Sequence, residues 1–346
     1  MTDLTTLPLP RTPDPASAPP LRWGILAPGG IATKMVTALQ RHTRQEVVAV
    51  GSRALDRAQA FADRFGTPQA YGSYEALVAD PAVQAVYIAS PHSEHAAQAL
   101  LAIEAGKHVL IEKAYTRNRA EAERVVAAAK AARLIALEAM WTRFTPRHDV
   151  VRQVIEDGRL GDLVSVFADH GQMLTHVPRM VRPDLAGGAL LDLGIYPVSF
   201  AIGVLGLPGQ VRAAGKLTPA GVDIQDGILL GDFAAHPAAM AILHTTFEAL
   251  TPTAAVIAGT AGRLELDPPF YHPGQVRLVR PDGTVALSVE PAILGPEGLC
   301  FEAAHLAQLV ADGQTDSPLL PMDESVAIMG VLDQIRAQVG VVYPGE

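Results

Sequence analysis

From Leu21 onward, short apolar runs alternate with stretches whose apolar residues recur at helical spacing. The runs at 21–27, 46–52, 85–89, 108–111 and 135–138 are mainly apolar, the pattern of strands buried on both faces. Between them, 31–39, 55–65, 95–105 and 119–132 carry helical periodicity. Ser73, Ser93 and Asn118 stand where N-caps are expected, Ser73 ahead of a short helix ending near Asp80. Gly106 stands where the 95–105 helix should stop. Such β-α repetition predicts an α/β fold with a doubly wound parallel sheet, complete near Ala139.

Past that point the pattern changes. Residues 146–157 read as a helix closed by Gly158, 162–170 as a strand and 188–205 as a helical segment. Strand-like runs then crowd together at 211–217, 224–233, 239–247, 254–258, 263–266, 276–279 and 285–289. Turn signals separate them: Pro208-Gly209, Ala261-Gly262 and Asp282-Gly283. Strands joined by short turns favour an antiparallel or mixed sheet, hence a second, α+β domain. Helices at about 301–311 and 324–339 close the chain.

A length of 346 residues with 49% apolar and 18% charged side chains supplies two cores. The net charge of −9 argues against nucleic acid or an anionic membrane surface as main partner, since both need a basic face. A local basic pocket for one phosphate stays open. The single cysteine, Cys300, excludes a disulfide framework and a cysteine-rich metal site, and reads as a small buried side chain near a helix start. His170, His176 and Asp169 lack zinc-like spacing, so no metal is expected. Residues 1–20 hold six prolines and no signal-like apolar run, and read as a flexible tail. No later stretch reaches the ~18 uninterrupted apolar residues of a membrane span. Cytoplasm is the expected location. Domain limits of 21–140 and 141–346 follow.

The chemistry begins where the first strand runs into Gly24-Ile25-Leu26-Ala27-Pro28-Gly29-Gly30-Ile31-Ala32 and a helix. A glycine-rich turn in that position binds a dinucleotide pyrophosphate through backbone N–H groups and the positive end of the helix. Ala27 replaces the usual first glycine, and a tight turn without ligand is the competing reading. The second strand ends in Ser52-Arg53, with Arg57 one helical turn on. An NAD site places a carboxylate there; Ser52 and the two arginines instead suit the 2′-phosphate of NADP. Solvated surface charge is the alternative for Arg53 and Arg57. Ser90, Pro91, His92 and His95 follow the third apolar run at a carboxyl end, where either histidine can meet a nicotinamide ribose; His95 can equally be structural. Lys113 directly follows a buried strand in a chain with only five lysines. Asp192 and Tyr196 lie four apart in a helical segment, and Pro197 should interrupt that helix.

Four segments taken together, GILAPGGIA (24–32), AGKHVLIEKA (105–114), EAMWTRFTP (138–146) and GGALLDLGIYPV (187–198), resemble the glucose-fructose oxidoreductase, inositol dehydrogenase and rhizopine-catabolism (Gfo/Idh/MocA) family. The resemblance is strongest to its dimeric dihydrodiol dehydrogenases and NADP-dependent xylose dehydrogenases. It implies a Rossmann domain, then an α+β domain whose large open sheet often forms a dimer interface, giving a homodimer or homotetramer. It implies hydride transfer between NADP and a hydroxyl-bearing carbon of a sugar, polyol or trans-dihydrodiol. The family's Glu-Lys-Pro motif falls on Glu112-Lys113-Ala114, with Lys113 beside the nicotinamide and Glu112 among the cofactor-binding residues. Without the proline, the chain is expected to aim that lysine differently. The resemblance makes Tyr196 the acid–base group, its phenol eased toward ionisation by an ammonium, and Asp192 its substrate-orienting partner. Trp141 and Arg143 would line the boundary between cofactor and substrate, although interdomain packing would also occupy them. Two other functions compete: a non-catalytic nucleotide sensor on the same fold, and a sugar–sugar oxidoreductase that retains its cofactor.

Overall fold

A computed structural model describes Thr6 to Glu346, and the chain divides into two compact units. One comprises Pro13–Phe144 and Gly295–Met329; the other comprises the residues up to Thr12, Thr145–Leu294 and Gly330–Glu346.

In the first unit β1 (Arg22–Leu26), α1 (Gly30–His42), β2 (Glu46–Gly51), α2 (Leu55–Phe65), β3 (Gln69–Tyr71), α3 (Tyr74–Val78), β4 (Ala85–Ile88), α4 (His92–Glu104), β5 (His108–Glu112), α5 (Arg119–Ala132) and β6 (Ala136–Ala139) follow in order. The six strands are parallel in the order β3-β2-β1-β4-β5-β6. The order reverses between β1 and β4, which opens a crevice beyond their carboxyl ends. This is the doubly wound sheet that the apolar runs predicted. The pattern missed β3, which has three residues at the sheet edge and no apolar run. Ser73 Oγ accepts the Ala76 N–H at 3.1 Å and Asn118 Oδ1 the Glu121 N–H at 2.9 Å, as expected of caps. Ser93 is not a cap. The helix begins at His92, because Pro91 with its fixed φ already supplies the extended residue at the start, and the Ser93 hydroxyl turns to Glu94.

The second unit contains α6 (Pro146–Glu156), β7 (Leu163–Gly171), α7 (Ile195–Leu205), β8 (Pro208–Leu217), β9 (Asp223–Phe233), β10 (Met240–Thr246), β11 (Ala255–Gly259), β12 (Gly262–Leu266), β13 (Val276–Val279) and β14 (Val285–Leu287). Its eight strands form one sheet in the order β14-β13-β12-β11-β7-β10-β9-β8. Only β7 and β10 pair in parallel, and the connection between them carries α7, β8 and β9. The sheet is therefore mixed. Pro208-Gly209 is not the turn it resembled. Gly206, at φ 86°, ends α7, and Pro208 opens β8, an edge strand that tolerates its missing N–H. The helical stretch Pro183–Leu205 is apolar and long enough to cross a membrane by composition, yet 94% of its most apolar window lies inside the fold. Burial from every side, by β7, β10 and the 267–275 loop, explains why it is apolar all round.

Two sequence expectations are corrected here. The helices α8 (Cys300–Ala311) and the first part of α9 (Met322–Val339) belong to the first unit, not to a continuous 141–346 domain. His305 stacks on Phe144 with ring centroids 4.9 Å apart, Asp323 pairs with Lys130 at 2.6 Å, and Glu297 holds His42 at 2.5 Å. Helical periodicity reports that a face is buried, not which sheet buries it. Cys300 is buried at the start of α8, and burial pushes its thiol up to about 12. The second correction concerns the tail. From Thr6 it is tied down: Arg159 donates to Thr6 O (2.8 Å), Gln153 to Leu9 O (2.9 Å), and Arg11 to the buried Asp149 through its backbone N–H (2.5 Å) and its guanidinium (3.0 Å). Its prolines suit a strap whose bonds come from side chains rather than from a ladder. Deleting residues 1–12 is expected to lower the thermal unfolding midpoint, because Asp149 loses its main partner. An unchanged midpoint in calorimetry would restore the flexible-tail reading.

Candidate active site

The turn after β1 is built to receive an anion. Ala27 N–H donates to Gly51 O at 3.1 Å, which pins the turn to the tip of β2. Gly29 is the N-cap of α1 and supplies no side-chain acceptor. A methyl group added at Gly29 would meet nothing closer than 3.8 Å, and one at Gly30 nothing within 4 Å. The first N–H groups of α1, those of Gly30 and Ile31 among them, therefore lack a capping side chain and have room for a phosphate. Ala27 sits at φ 63°, the left-handed region where the family pattern has glycine. At the tip of β2, Ser52 Oγ accepts the Ala54 N–H at 3.3 Å, so its own proton can be donated. Arg53 and Arg57 are exposed, and both act on Tyr74. Burial raises the Tyr74 phenol and the Glu94 charge adds to it, while the two guanidinium charges oppose that rise, so both arginines act on the same side chain. The residues present fit a dinucleotide carrying a 2′-phosphate. Tyr74 was not foreseen, because it stands in a separate short helix with no sequence link to the arginines.

Lys113, half-buried at the carboxyl end of β5, has its backbone gripped by α4. His92 Nε2 lies 3.2 Å from Lys113 O. His95 Nδ1 lies 3.0 Å from Ala114 O, and its Nε2 2.9 Å from Ser90 O. His95 is fully buried; burial lowers its pKa and the Lys113 charge adds to that, while the carbonyl contacts act the other way. Both of its ring nitrogens face backbone carbonyls, so His95 ties the ends of β4 and β5 together, which is the structural role that stood beside ribose contact in the sequence reading. Glu112 is buried and accepts the hydrogen bond of the Tyr87 hydroxyl. The Arg143 guanidinium pairs with Glu324, and Trp141 is buried in the same short turn, Trp141–Phe144. Ser90 and Pro91 are half-buried beside the crevice, and Ser90 Oγ is buried without a hydrogen-bond partner. The Lys113–Ala114 peptide is cis, against the expectation of a different bend without proline.

In the second unit, Asp192 lies in a π-helical turn, Leu190–Gly194, that runs directly into α7. Pro197 lacks the N–H that an α-helix would direct to Leu193 O. His170, at the end of β7, takes that carbonyl through Nδ1 at 3.2 Å. The irregularity expected at Pro197 is thus displaced one turn earlier, where wide turns often accompany function. Arg179 donates to Asp192 Oδ2 at 3.0 Å. The rings of Tyr196, His170 and Tyr271 cluster, with centroids 5.2 Å (Tyr196–His170), 4.7 Å (Tyr196–Tyr271) and 4.5 Å (His170–Tyr271) apart, and Gln172 donates to the Tyr271 hydroxyl at 3.1 Å. Arg147 holds the loop that carries Tyr271 by donating to the carbonyls of Asp267, Pro269 and Phe270. Sequence reading missed Gln172, Arg179 and Tyr271, which lie in loops or in the single 3-10 turn Pro178–Val181, where no periodicity marks them. The sequence weighs His170 only as a strand end and as a metal ligand, and its spacing argues against the latter.

An uncapped helix start at the switch point of a parallel sheet, with a lysine at the end of a neighbouring strand, is the equipment of a dinucleotide-binding oxidoreductase. The chain belongs to the Gfo/Idh/MocA family. Residues 21–139 match its oxidoreductase, NAD-binding Rossmann-fold part, and 148–265 match the GFO/IDH/MocA C-terminal domain. It is 37% identical over 336 residues to human trans-1,2-dihydrobenzene-1,2-diol dehydrogenase, covering 94% of this chain and 98% of that one. It is 36% identical over 367 residues to the D-xylose 1-dehydrogenase (NADP(+)) of Hypocrea jecorina, covering 94% and 93%. Among solved structures it resembles a 3-ketoreductase from Actinomadura kijaniata in complex with NADP and TDP-benzene, with TM-score 0.81, 29% identity and coverage of 93% and 98%.

Ala27→Gly is expected to raise stability by about 1 kcal/mol, because glycine adopts the positive φ without strain. Denaturant titration checks this, and a loss of stability would show that the alanine is not strained. His95 contributes stability fully above the ordinary histidine value of about 6.5, and this declines as pH falls below it, because its folded pKa is lowered. His95→Gln should therefore flatten the acid side of the stability profile between pH 7 and 5; an unaltered slope would assign that limb to other groups.

Proposed function

We propose that this protein is an NADP-dependent dehydrogenase acting on a hydroxyl-bearing carbon of a sugar, polyol or trans-dihydrodiol. The observation that carries the reading is Lys113: a cation at the carboxyl end of a Rossmann strand, with its carbonyl held by a buried histidine. The relatives named above support the substrate class, and Arg53, Arg57 and Ser52 support NADP over NAD.

When bound, the nicotinamide accepts or returns the hydride. The chain's own groups handle the rest. The start of α1 binds the pyrophosphate, and Ser52, Arg53 and Arg57 the 2′-phosphate. In the oxidative direction the substrate C–H bond loses a hydride to the nicotinamide while its O–H proton passes to Tyr196 acting as phenolate, leaving a carbonyl and a neutral phenol. The Lys113 ammonium stabilises the alkoxide that develops. Asp192, oriented by Arg179, accepts a hydrogen bond from a substrate hydroxyl. The aromatic faces of Tyr271 and His170 suit the apolar side of a ring substrate.

We also assign the outer face of the eight-stranded sheet to a homodimer contact. Leu229, Ile242 and Phe167 lie side by side in register across β9, β10 and β7, and all three are exposed, with Met240 beside them. An apolar row on an open sheet favours burial against a second copy. A cytoplasmic location is part of the same reading, supported by the single buried thiol and by a nicotinamide-dependent chemistry.

The deciding assay is a panel of aldoses, inositols and trans-diols with NADP and NAD supplied separately. Lys113→Ala and Tyr196→Phe should each lower kcat by about 100-fold or more. Full turnover by either variant on a confirmed substrate removes that residue from the chemistry. Arg53→Ala should raise the KM for NADP about tenfold with little change for NAD. Phe167→Glu with Ile242→Glu should convert a dimer to monomer in light scattering, whereas an unchanged mass would place the contact elsewhere.

A further inference from the structure

The helical segment that presents Asp192 and Tyr196 begins just past Gly188, at φ 121°, and its first N–H groups have no partner within the helix. Asp223, the first residue of β9, supplies one from a distant part of the chain. Its Oδ2 accepts the Leu190 N–H at 2.5 Å. The approach is close: a methyl group at position 188 would stand 2.1 Å from Asp223 Oδ1. Asp226 is brought to the same place by a bulge. Three residues along a regular strand would put the two carboxyls on opposite faces, but the β8–β9 register slips between Lys216 and Leu217, and both aspartates are fully buried. Asp226 lies over Gly215, where an added methyl would stand 2.4 Å from its Oδ1. Two glycines thus clear space for two carboxyls.

Among the described residues no cation faces this pair. Arg336 of α9 is committed to Asp333 (2.8 Å) and Glu346 (2.9 Å), and the Tyr343 hydroxyl donates to Gly187 O at 3.0 Å. Neither oxygen of Asp226 has a partner outside the pair. Two ionised carboxylates in a dry site without a cation repel strongly, so one of them keeps its proton. Burial pushes Asp226 up to about 9, and the Asp223 charge adds to this. Burial raises Asp223 too, but the Leu190 N–H favours its charged form.

We propose that Asp223 and Asp226 share one proton and act as positioning residues for the reaction. Ionised Asp223 caps the helix that presents Asp192 and Tyr196, and protonated Asp226 donates to Asp223 and holds it there. The proposal rests on the reading of Asp192 and Tyr196 as the proton-handling groups. Because the Asp226 pKa is raised on folding, its stabilising proton is present at low pH and is lost as pH rises through about 9. The ionisable neighbours are Tyr343, whose phenol is raised mainly by burial, and Arg336 with its two carboxylates.

The test uses the full-length protein and hydrogen exchange of a peptide covering 186–197, which reads the helix start without catalysis. In the wild type, exchange corrected for intrinsic rate should speed up about tenfold between pH 7.5 and 10. Asp226→Asn, which still donates but cannot titrate, should abolish that rise. Asp223→Asn should exchange about tenfold faster already at pH 7.5, with kcat lowered about tenfold and the KM for NADP within twofold. If Asp223→Asn does not fold, Asp226→Leu serves in its place: loss of the donor should lower kcat where Asn restores it. An Asp226→Asn protein that keeps the alkaline rise, or an Asp223→Asn protein with wild-type exchange, overturns the pair. Full turnover by Tyr196→Phe would overturn the functional reading instead, and leaves the exchange result to judge the aspartates separately.

Discussion

A backbone N–H or C=O at the end of a strand or helix has no ladder partner, and in a dry interior it must find one elsewhere. The working parts of this protein are placed by the way that demand is met. The Ala27 amide goes to Gly51 O, which sets the turn after β1. The carbonyls of Ser90, Lys113 and Ala114 go to two histidines of α4, which ties the lysine to the neighbouring strand. The Leu193 carbonyl, deprived of a donor by Pro197, goes to His170, and the Leu190 amide goes to Asp223. Each bond is worth about 1 kcal/mol. Their larger effect is geometric, since each fixes the backbone directly beside a residue with chemical work to do.

The two helix starts near the chemistry are treated in opposite ways. The start of α1 has a glycine N-cap and no acceptor from the protein, so its positive end is available to a bound anion. The start of the Asp192 segment is closed by a buried carboxylate from β9. The same electrostatics therefore provides a ligand site in one unit and a rigid support in the other. The difference lies in whether an acidic side chain is supplied or withheld.

Buried acids recur in both units. Glu138, in β6, accepts the Tyr115 N–H and the Ser325 hydroxyl, and burial pushes it up to about 7. Glu302 of α8 is fully buried and well above the ordinary carboxylate range, chiefly from burial, with the charges of Glu112 and Glu138 adding to it. These groups bind protons more tightly when folded, so their contribution to stability declines as pH rises above the ordinary value near 4.5. A chain with net charge −9 has placed some of its acids where they are neutral, which limits the repulsion that charge would otherwise cause.

Much of the architecture was legible in the chain. Apolar runs at 21–27 and 85–89 became β1 and β4, and seven closely spaced runs after 205 became β8 to β14. The glycine turn, Lys113, Asp192 and Tyr196 stood out because residue type and position in an element identify them. Other features were hidden. Nothing local marks Asp223 as a cap for a helix more than thirty residues away, Tyr271 as the neighbour of Tyr196, or α8 as part of the first unit. Nor does the sequence show that His95 meets backbone carbonyls or that Glu112 accepts from Tyr87. Periodicity and turn chemistry are local properties, so the sequence by itself determined the elements, their order and the chemical inventory. Which element covers which, and whether a polar side chain is free for a ligand or consumed by an orphan backbone group, depends on long-range packing and was decided only by the tertiary structure.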